Sequence, residues 1–477
     1  MRFFASNVGV YSFLYPLVTP PMGIMYLGAY MRQQFGAEVR LVNQRLDNLS
    51  DEEVVRQAVD FGADIVALSS LSAMHRHQEN ISRMVRQALP KALILLGGPH
   101  VSSFGAAALV GTDADAAVPG EGELALASIV KAFKAGADFS VIPGIYWRDK
   151  TGTIVNNPGS TEIIQDLDSL PMPAYDLIDL PKYWKRQSMS PIQQRVYASL
   201  VSSRGCPYGC SWCHEIFGKR YRTHSADRII EEIDYLQRNF GVYEFEFLDD
   251  IFNLDHKRLA EFCGQVQRRD KKIKFTFSNG VRSDILTNEE IDALVGAGMY
   301  FCSFALETGS PRMQKLMRKH LDIDKFLSVV DYAAGRGVFT NGFVMLGFPT
   351  ETREDMEMTL KTACRSRLHT ASFFTAMPFP NTEMYQMALQ SHPDKLASLD
   401  YLESDYGRTR INVSAEPDEV LWQYQNRAYR EFYGPRRVLR IIRSYPEPLR
   451  LLRYIPTMTS RLFKGIIPGG SQTKDKH

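Results

Sequence analysis

Two successive series of short apolar runs, each run separated from the next by a stretch of helical periodicity, leave few folds open to this chain. In the first series, residues 39–42, 65–68 and 92–96 read as buried parallel strands, and residues 51–61 and 78–89 carry helical apolar spacing. Such alternation predicts an α/β, doubly wound sheet of the Rossmann-like (flavodoxin-like) kind, which binds ligands beyond the C-terminal ends of its strands. Those ends carry Ser69 and Ser70, then Gly97, Gly98, Pro99 and His100, then Gly120, Glu121, Gly122 and Glu123. Glycines there let backbone approach a large ligand closely, although a tight βα turn is the simpler use of the same residues.

In the second series, residues 198–202, 244–248, 274–278, 301–306, 340–346 and 370–377 read as strands, with helices at 226–239 and 288–297. Six βα units in succession predict a partial (β/α)6 barrel of the TIM type, with its active site at the C-terminal strand ends. Residues 146–195 read as a connector, in which Pro171 and Pro173 disfavour helix. The expected domains are therefore 1–145, the connector 146–195, the barrel 196–395 and a mainly helical region 396–477.

The 477 residues suffice for two or three domains. An apolar fraction of 44%, a charged fraction of 23% and a net charge of +2 describe an ordinary globular protein without a field that attracts nucleic acid. Six cysteines make no disulfide framework at this length and suit a reducing interior. No apolar run approaches the roughly eighteen residues of a spanning helix, and the N-terminus lacks the pattern of a secretory signal. A cytoplasmic enzyme is expected.

Cys206, Cys210 and Cys213 stand as C-x3-C-x2-C just after the first barrel strand. A structural zinc site is closed by four ligands, yet Cys263 is remote and the His214 side chain diverges from its neighbour Cys213. The run from Cys210 to His214 also matches C-x-x-C-H, the haem-attachment pattern. Covalent haem requires export, however, and leaves Cys206 without a role. Iron–sulfur clusters are normally held by four cysteines, so three thiolates on one loop imply a [4Fe-4S] cluster whose fourth iron is open. Cys263, Cys302 and Cys364 stand alone in helical and strand stretches and read as small apolar residues.

The cysteine spacing, with Trp212 just before the last cysteine, resembles the signature of radical S-adenosylmethionine (SAM) enzymes. The resemblance implies that the open iron binds SAM and that a donor such as flavodoxin or ferredoxin reduces the cluster. SAM cleavage then yields a 5′-deoxyadenosyl radical. It also implies SAM contacts at the strand ends. Asp249 and Asp250 follow the second strand, where a carboxylate accepts from the SAM ammonium; helix capping is their plainer use. Ser278, Asn279 and Arg282 follow the third, with Arg282 expected on the SAM carboxylate and Ser278 or Asn279 on the ribose. Glu307 ends the fourth and is costly to bury unpaired. Gly347 ends the fifth, which resembles the strand on which adenine rests.

The run Pro20–Tyr30, together with the Gly97–His100 and Gly120–Glu123 runs, resembles the cobalamin-binding domain that precedes the radical core in one large subgroup. Cobalamin is therefore expected against Ser69, Ser70, Gly97, Gly98, Gly120, Glu121 and Gly122. No Asp-x-His-x-x-Gly motif is present to supply a histidine to cobalt, and His100 reads as structural. Asp249-Asp250 and the run Met377–Glu383 resemble the same subgroup. The implied activity is methylation of an unactivated carbon in a small-molecule or lipid substrate. Alternatives are radical cyclisation of a tetrapyrrole, as in the anaerobic cyclase of chlorophyll synthesis, hopanoid tailoring, or a non-catalytic cluster or cobalamin sensor.

Residues 419–432 read as a helix. Beyond it Arg436, Arg437, Arg440, Arg443, Arg450, Arg453, Arg461 and Lys464 interleave with apolar residues. A basic amphipathic segment suits peripheral contact with an anionic membrane, or packs as a terminal helix with solvated arginines. Residues 469–477 read as a disordered tail.

Overall fold

A computed structural model describes residues 1–11, 17–190, 192, 196–214, 216–403 and 411–446. Its first sheet contains β1 (Arg2–Val8), β2 (Glu38–Asn43), β3 (Ile65–Ser70), β4 (Leu93–Gly97), β5 (Ala116–Ala117), β6 (Tyr146–Arg148) and β7 (Ile154–Asn156). The spatial order is β2-β1-β3-β4-β5-β6-β7, and the first five strands pair in parallel, as in a doubly wound fold. The sequence reading passes over β1, whose Phe3, Phe4, Ala5 and Ser6 are wholly buried. A strand covered on both faces lacks the alternation that marks a half-buried one. β6 and β7 join the edge as an antiparallel pair, so the sheet runs into the stretch expected as connector.

The second unit contains β8 (Tyr197–Leu200), β9 (Ser203–Arg204), β10 (Arg222–Thr223), β11 (Glu244–Phe247), β12 (Lys274–Val281), β13 (Met299–Glu307), β14 (Phe339–Leu346) and β15 (Thr370–Thr375). Six of these form one parallel sheet in the order β8-β11-β12-β13-β14-β15, the expected partial barrel. Its helices start on capping side chains, with reciprocal boxes at Thr287/Glu290 and Thr352/Asp355.

An open barrel leaves two edge strands, and unpaired edge groups are a liability. Here aromatic side chains cover both. On β8, the Trp184 indole donates to the Tyr197 carbonyl at 2.9 Å and the Tyr175 hydroxyl to the Ser199 carbonyl at 2.8 Å. On β15, the Tyr433 hydroxyl accepts from the Ala371 N–H (3.1 Å) and donates to the Ala371 carbonyl (2.9 Å). The Tyr429 hydroxyl accepts from the Phe373 N–H at 3.2 Å. The stretch expected as connector and the C-terminal helix Asp418–Phe432 with the turn after it thus complete the barrel.

The two units share an apolar core, since Met25 and Tyr26 of the helix Met22–Phe35 pack in one cluster with barrel residues. Inside this interface lies a network of buried charges. Arg204 donates to Glu121 at 3.0 Å and to Glu123 at 2.7 Å, and Arg222 pairs with the other oxygen of Glu121. The Arg204 guanidinium lies 5.0 Å from the Tyr26 ring centre and 5.4 Å from that of Phe217.

At the C-terminal side, the helix Pro435–Ser444 buries Arg437, which donates to the carbonyls of Cys364, Ser366 and Leu368 at and just beyond the end of the helix Arg353–Arg365. Leu439 and Ile442 are exposed. Arg450, Arg453, Arg461, Lys464 and the tail 469–477 lie outside the described residues. Among the described residues no helix is long and apolar enough to cross a membrane.

Removing one partner of a buried ion pair strands the other charge, at a cost of about 3–5 kcal/mol. Arg204→Ala should therefore lower unfolding stability by about that amount in urea denaturation. A loss below about 1 kcal/mol would place the network in solvent-like surroundings, contrary to its burial.

Candidate active site

The cysteine loop hangs from a two-stranded stem. β9 and β10 pair antiparallel, Arg204 opposite Arg222, and both arginines reach into the first unit. At the neck, Gly205 holds φ 83°, and a Cβ there would run into the Arg220 carbonyl. The Cys206 N–H closes the loop on the Gly218 carbonyl at 3.2 Å.

Cys206, Cys210 and Cys213 open into one cavity of about 250 Å³, with Tyr208, Trp212, Asp250, Asn279, Arg282, Glu307 and Lys319 around it. Cys213 is reached by solvent through the cavity, yet protein surrounds it closely enough that burial pushes its thiol up to about 12. Burial also raises Cys206 and Cys210, while Lys319 opposes the rise in all three. Among the described residues no three His, Cys, Asp or Glu side chains converge as they would on a single ion. Three thiols of one loop facing one cavity are the donor set of a cysteine-held iron–sulfur cluster.

Carboxylates and cations are paired around that cavity. The Lys319 ammonium is 3.8 Å from the Glu307 carboxylate. Burial raises the Glu307 pKa and Lys319 lowers it. Glu307 holds φ 60° beside a register irregularity between Ala305 and Glu307, a strained strand end of the kind that re-aims a side chain. Arg282 is not a free cation, because it pairs with Asp284 at 2.8 Å, donates to the Lys319 carbonyl at 2.9 Å and faces the Tyr208 ring at 3.8 Å. Asn279, which also lines the cavity, donates to the Asp249 carbonyl at 3.0 Å.

Three expected SAM contacts stand elsewhere. The Asp249 carboxylate turns inward and accepts from the Ser202 N–H (3.1 Å), the Ser202 hydroxyl (2.8 Å) and the Ser203 hydroxyl (2.5 Å). It ties β9 to β11 rather than lining the cavity, and Asp250 takes the open position. Ser278 is buried inside the barrel, 3.2 Å from the Thr276 hydroxyl. The Gly347 N–H is spent on Glu351, and a Cβ there would meet Leu421 and Thr375. Conversely, Lys319 and Tyr208 carry no motif that sequence reasoning singles out; Lys319 arrives in a turn where Arg318 and His320 both have positive φ.

A second cavity, about 280 Å³, lies at the C-terminal ends of β3, β4 and β5 and is walled mainly by apolar residues. Ser69, Gly97, Gly98, Gly120, Glu121 and Gly122 line it and Ser70 does not; the Ser70 hydroxyl donates to Gln78 at 2.9 Å. Glu121 is committed to Arg204 and Arg222. The glycines are demanded by the protein's own packing: a Cβ on Gly98 would meet Ser69 and Ser70, and one on Gly122 would meet Leu27. They also leave a wall of bare backbone. No histidine lines this cavity among the described residues, and His100 is instead stacked between His75 and Phe104, at 4.8 and 4.7 Å.

Burial pushes the Asp250 carboxyl to about 6, against the Gly205 N–H that donates to it at 3.2 Å. Its ionisation thus costs the folded state nothing below the free value of 3.8, and a growing amount as pH rises to about 6. Asp250→Asn should raise the melting temperature of cluster-free protein at pH 8 and match the wild type near pH 4. Solvent in the cavity limits the gain to about 1 kcal/mol. An equal gain at both pH values would contradict the assignment.

The comparisons with known proteins agree with this geometry. The radical SAM superfamily model matches residues 200–363, and the B12 binding domain model matches residues 13–130. An uncharacterized methyltransferase of Pyrococcus horikoshii is 29% identical over 377 residues, 78% of this chain and 79% of its own. The cytidylyl-2-hydroxyethylphosphonate methyltransferase of Streptomyces wedmorensis is 26% identical over 430 residues, 79% of each chain. The solved structure of the cobalamin-dependent SAM radical enzyme OxsB, with aqua-cobalamin and SAM bound, superposes with a TM-score of 0.72 at 15% identity. It covers 98% of this chain and 72% of its own, and shows a shared fold. The two domains imply a [4Fe-4S] cluster, SAM and cobalamin as cofactors. The chain thus carries a B12-binding domain followed by a radical SAM domain, and is a radical SAM enzyme.

Proposed function

We propose that this enzyme methylates an unactivated carbon of a small-molecule or lipid substrate. The observation that carries this reading is the loop between the two cavities. Cys206, Cys210 and Cys213 line the cluster cavity, while Ile216 and Phe217 of the same loop line the cavity of the B12-binding domain. Relatives named as methyltransferases support methyl transfer over cyclisation. Bound, the cluster with SAM supplies hydrogen abstraction, and cobalamin supplies a methyl group.

The chain's own residues hold, orient and shield. Cys206, Cys210 and Cys213 would hold the cluster and leave a position on it for SAM. Asp250 and Glu307 offer carboxylates to an ammonium, and Lys319 offers a cation to a carboxylate. Trp212 packs on Phe348 at 5.5 Å, an aromatic wall that keeps water from one side of the cavity. The wall of Gly97, Gly98, Gly120 and Gly122 admits an apolar part of cobalamin and offers no imidazole to cobalt. A flavodoxin or ferredoxin is the proposed electron donor.

Anaerobically reconstituted protein, given SAM, cobalamin and a reductant, should release 5′-deoxyadenosine and S-adenosylhomocysteine. Cys206→Ala should abolish the iron–sulfur absorbance and both products. Lys319→Met should keep the absorbance and weaken SAM binding about tenfold, the loss of one charge-assisted contact worth ~1.4 kcal/mol. A full cluster that yields no 5′-deoxyadenosine would point to a sensor. 5′-Deoxyadenosine without S-adenosylhomocysteine would point to cyclisation.

The basic C-terminal helix adds a proposed membrane contact. Exposed Leu439 and Ile442 lie beside Arg436, Arg440 and Arg443, the arrangement an anionic bilayer surface attracts. The full chain should cosediment with phosphatidylserine vesicles. Replacing the three arginines by glutamine should weaken this by about 1 kcal/mol per residue. Equal pelleting with uncharged vesicles would remove the basis for the contact.

A further inference from the structure

The short helix Pro99–Phe104 begins at the B12-domain cavity and ends against the barrel. At its start, Gly97, Gly98 and Pro99 line that cavity. In its middle, the Ser102 hydroxyl accepts from the N–H of Gly120, another lining residue, at 3.0 Å. At its end, the Ser103 hydroxyl is 2.8 Å from the Pro99 carbonyl and 3.1 Å from Nδ1 of His214, the residue after the last cluster cysteine. A serine hydroxyl has one hydrogen to give. Donated to the Pro99 carbonyl, it leaves the oxygen to accept from the Nδ1–H of His214.

A second arm holds the same helix end. Asn381, in the segment after β15, donates from Nδ2 to the Ser103 carbonyl at 2.7 Å and the Ser102 carbonyl at 3.3 Å. Its φ of 65° places it in the left-handed region, which asparagine tolerates better than most residues. Phe379, two residues earlier, packs its ring on that of His214 at 4.6 Å. Farther round the loop, the Ile216 carbonyl lies against Gly120, 3.1 Å from where a Cβ would stand. The loop that carries the cysteines is therefore held at two points directly, His214 on Ser103 and Ile216 on Gly120, and at a third through Phe379 and Asn381. His214 lines the cluster cavity while Ile216 and Gly120 line the other, so these contacts join the walls of the two cavities at one helix end.

We propose that Ser103, His214 and Asn381 are positioning residues that couple occupancy of the two cavities, so that a loaded cysteine loop raises the affinity of the B12-domain cavity for cobalamin. Cluster assembly fixes the loop; the fixed loop, through His214 and Ile216, holds the helix and Gly120 in the binding arrangement. Such coupling is reciprocal by thermodynamic necessity, and couplings of this kind are typically about 5–150-fold. The inference rests on the cofactor reading above.

Hydroxocobalamin binding to the full chain, measured by equilibrium dialysis with and without the reconstituted cluster, tests it apart from turnover. The cluster-loaded wild type should bind at least about fivefold more tightly than the cluster-free form. Ser103→Ala and Asn381→Ala should each bring that ratio toward one, while Ser103→Thr, which keeps the hydroxyl, should retain it. Conversely, hydroxocobalamin should shift the reduced-cluster EPR spectrum of the wild type but not that of Ser103→Ala. Iron content and melting temperature report whether each variant folds; should Ser103→Ala lose its cluster, Asn381→Ala carries the comparison. A ratio of one in the wild type, or an undiminished ratio in both alanine variants, overturns the coupling. No binding to either form overturns the cofactor reading as well.

Discussion

Everything at this site depends on where the cysteine loop is held, and a buried lattice of charges holds it. Arg204 and Arg222 stand opposite each other at the loop's base and both reach Glu121, with Glu123 completing the set. Burying such groups costs several kcal/mol per ion and is repaid only by close geometry with further hydrogen bonds. That repayment exists in one relative placement of the two units. A hydrophobic interface of equal size would tolerate sliding; this one fixes the loop's stem to the B12-binding domain.

From that fixed stem the rest follows. The loop becomes a partition, with cysteines on one side and Ile216 and Phe217 on the other. Protein packed closely round the cluster cavity raises its acids and thiols even where solvent enters: Cys213 to about 12, Asp250 to about 6, Glu307 upward against Lys319. The barrel can afford an open seam because Tyr175, Trp184, Tyr429 and Tyr433 satisfy its edge strands.

The architecture was largely legible in the sequence, for a physical reason. Parallel strands covered on both faces are compact apolar runs, and the helices between them carry amphipathic spacing and capping residues, all local properties. Residues 288–297 and 51–61 coincide with the helices Asn288–Ala297 and Asp51–Phe61. β1 escaped because its burial is set by neighbours on both sides. The site was legible only in part. Asp249 and Asp250 are adjacent, yet in the irregular backbone beyond the strand one carboxylate turns to Ser202 and Ser203 and the other to the cavity. Glu121 lines the cavity of the B12-binding domain, but its ion pairing was not legible, because the arginines that claim it lie 83 and 101 residues away.

By itself, the sequence determined the kind of chemistry: C-x3-C-x2-C on a strand-to-helix loop restricts the ligand set, since thiolate number and spacing are covalent facts of the chain. It also determined the order of the two units. Only the tertiary structure decided which carboxylates and cations face the cluster cavity, that Lys319 joins them, and that one loop serves both cavities. Those are contacts between residues far apart in the chain, and they exist because burial makes unpaired charge too costly to leave in any other arrangement.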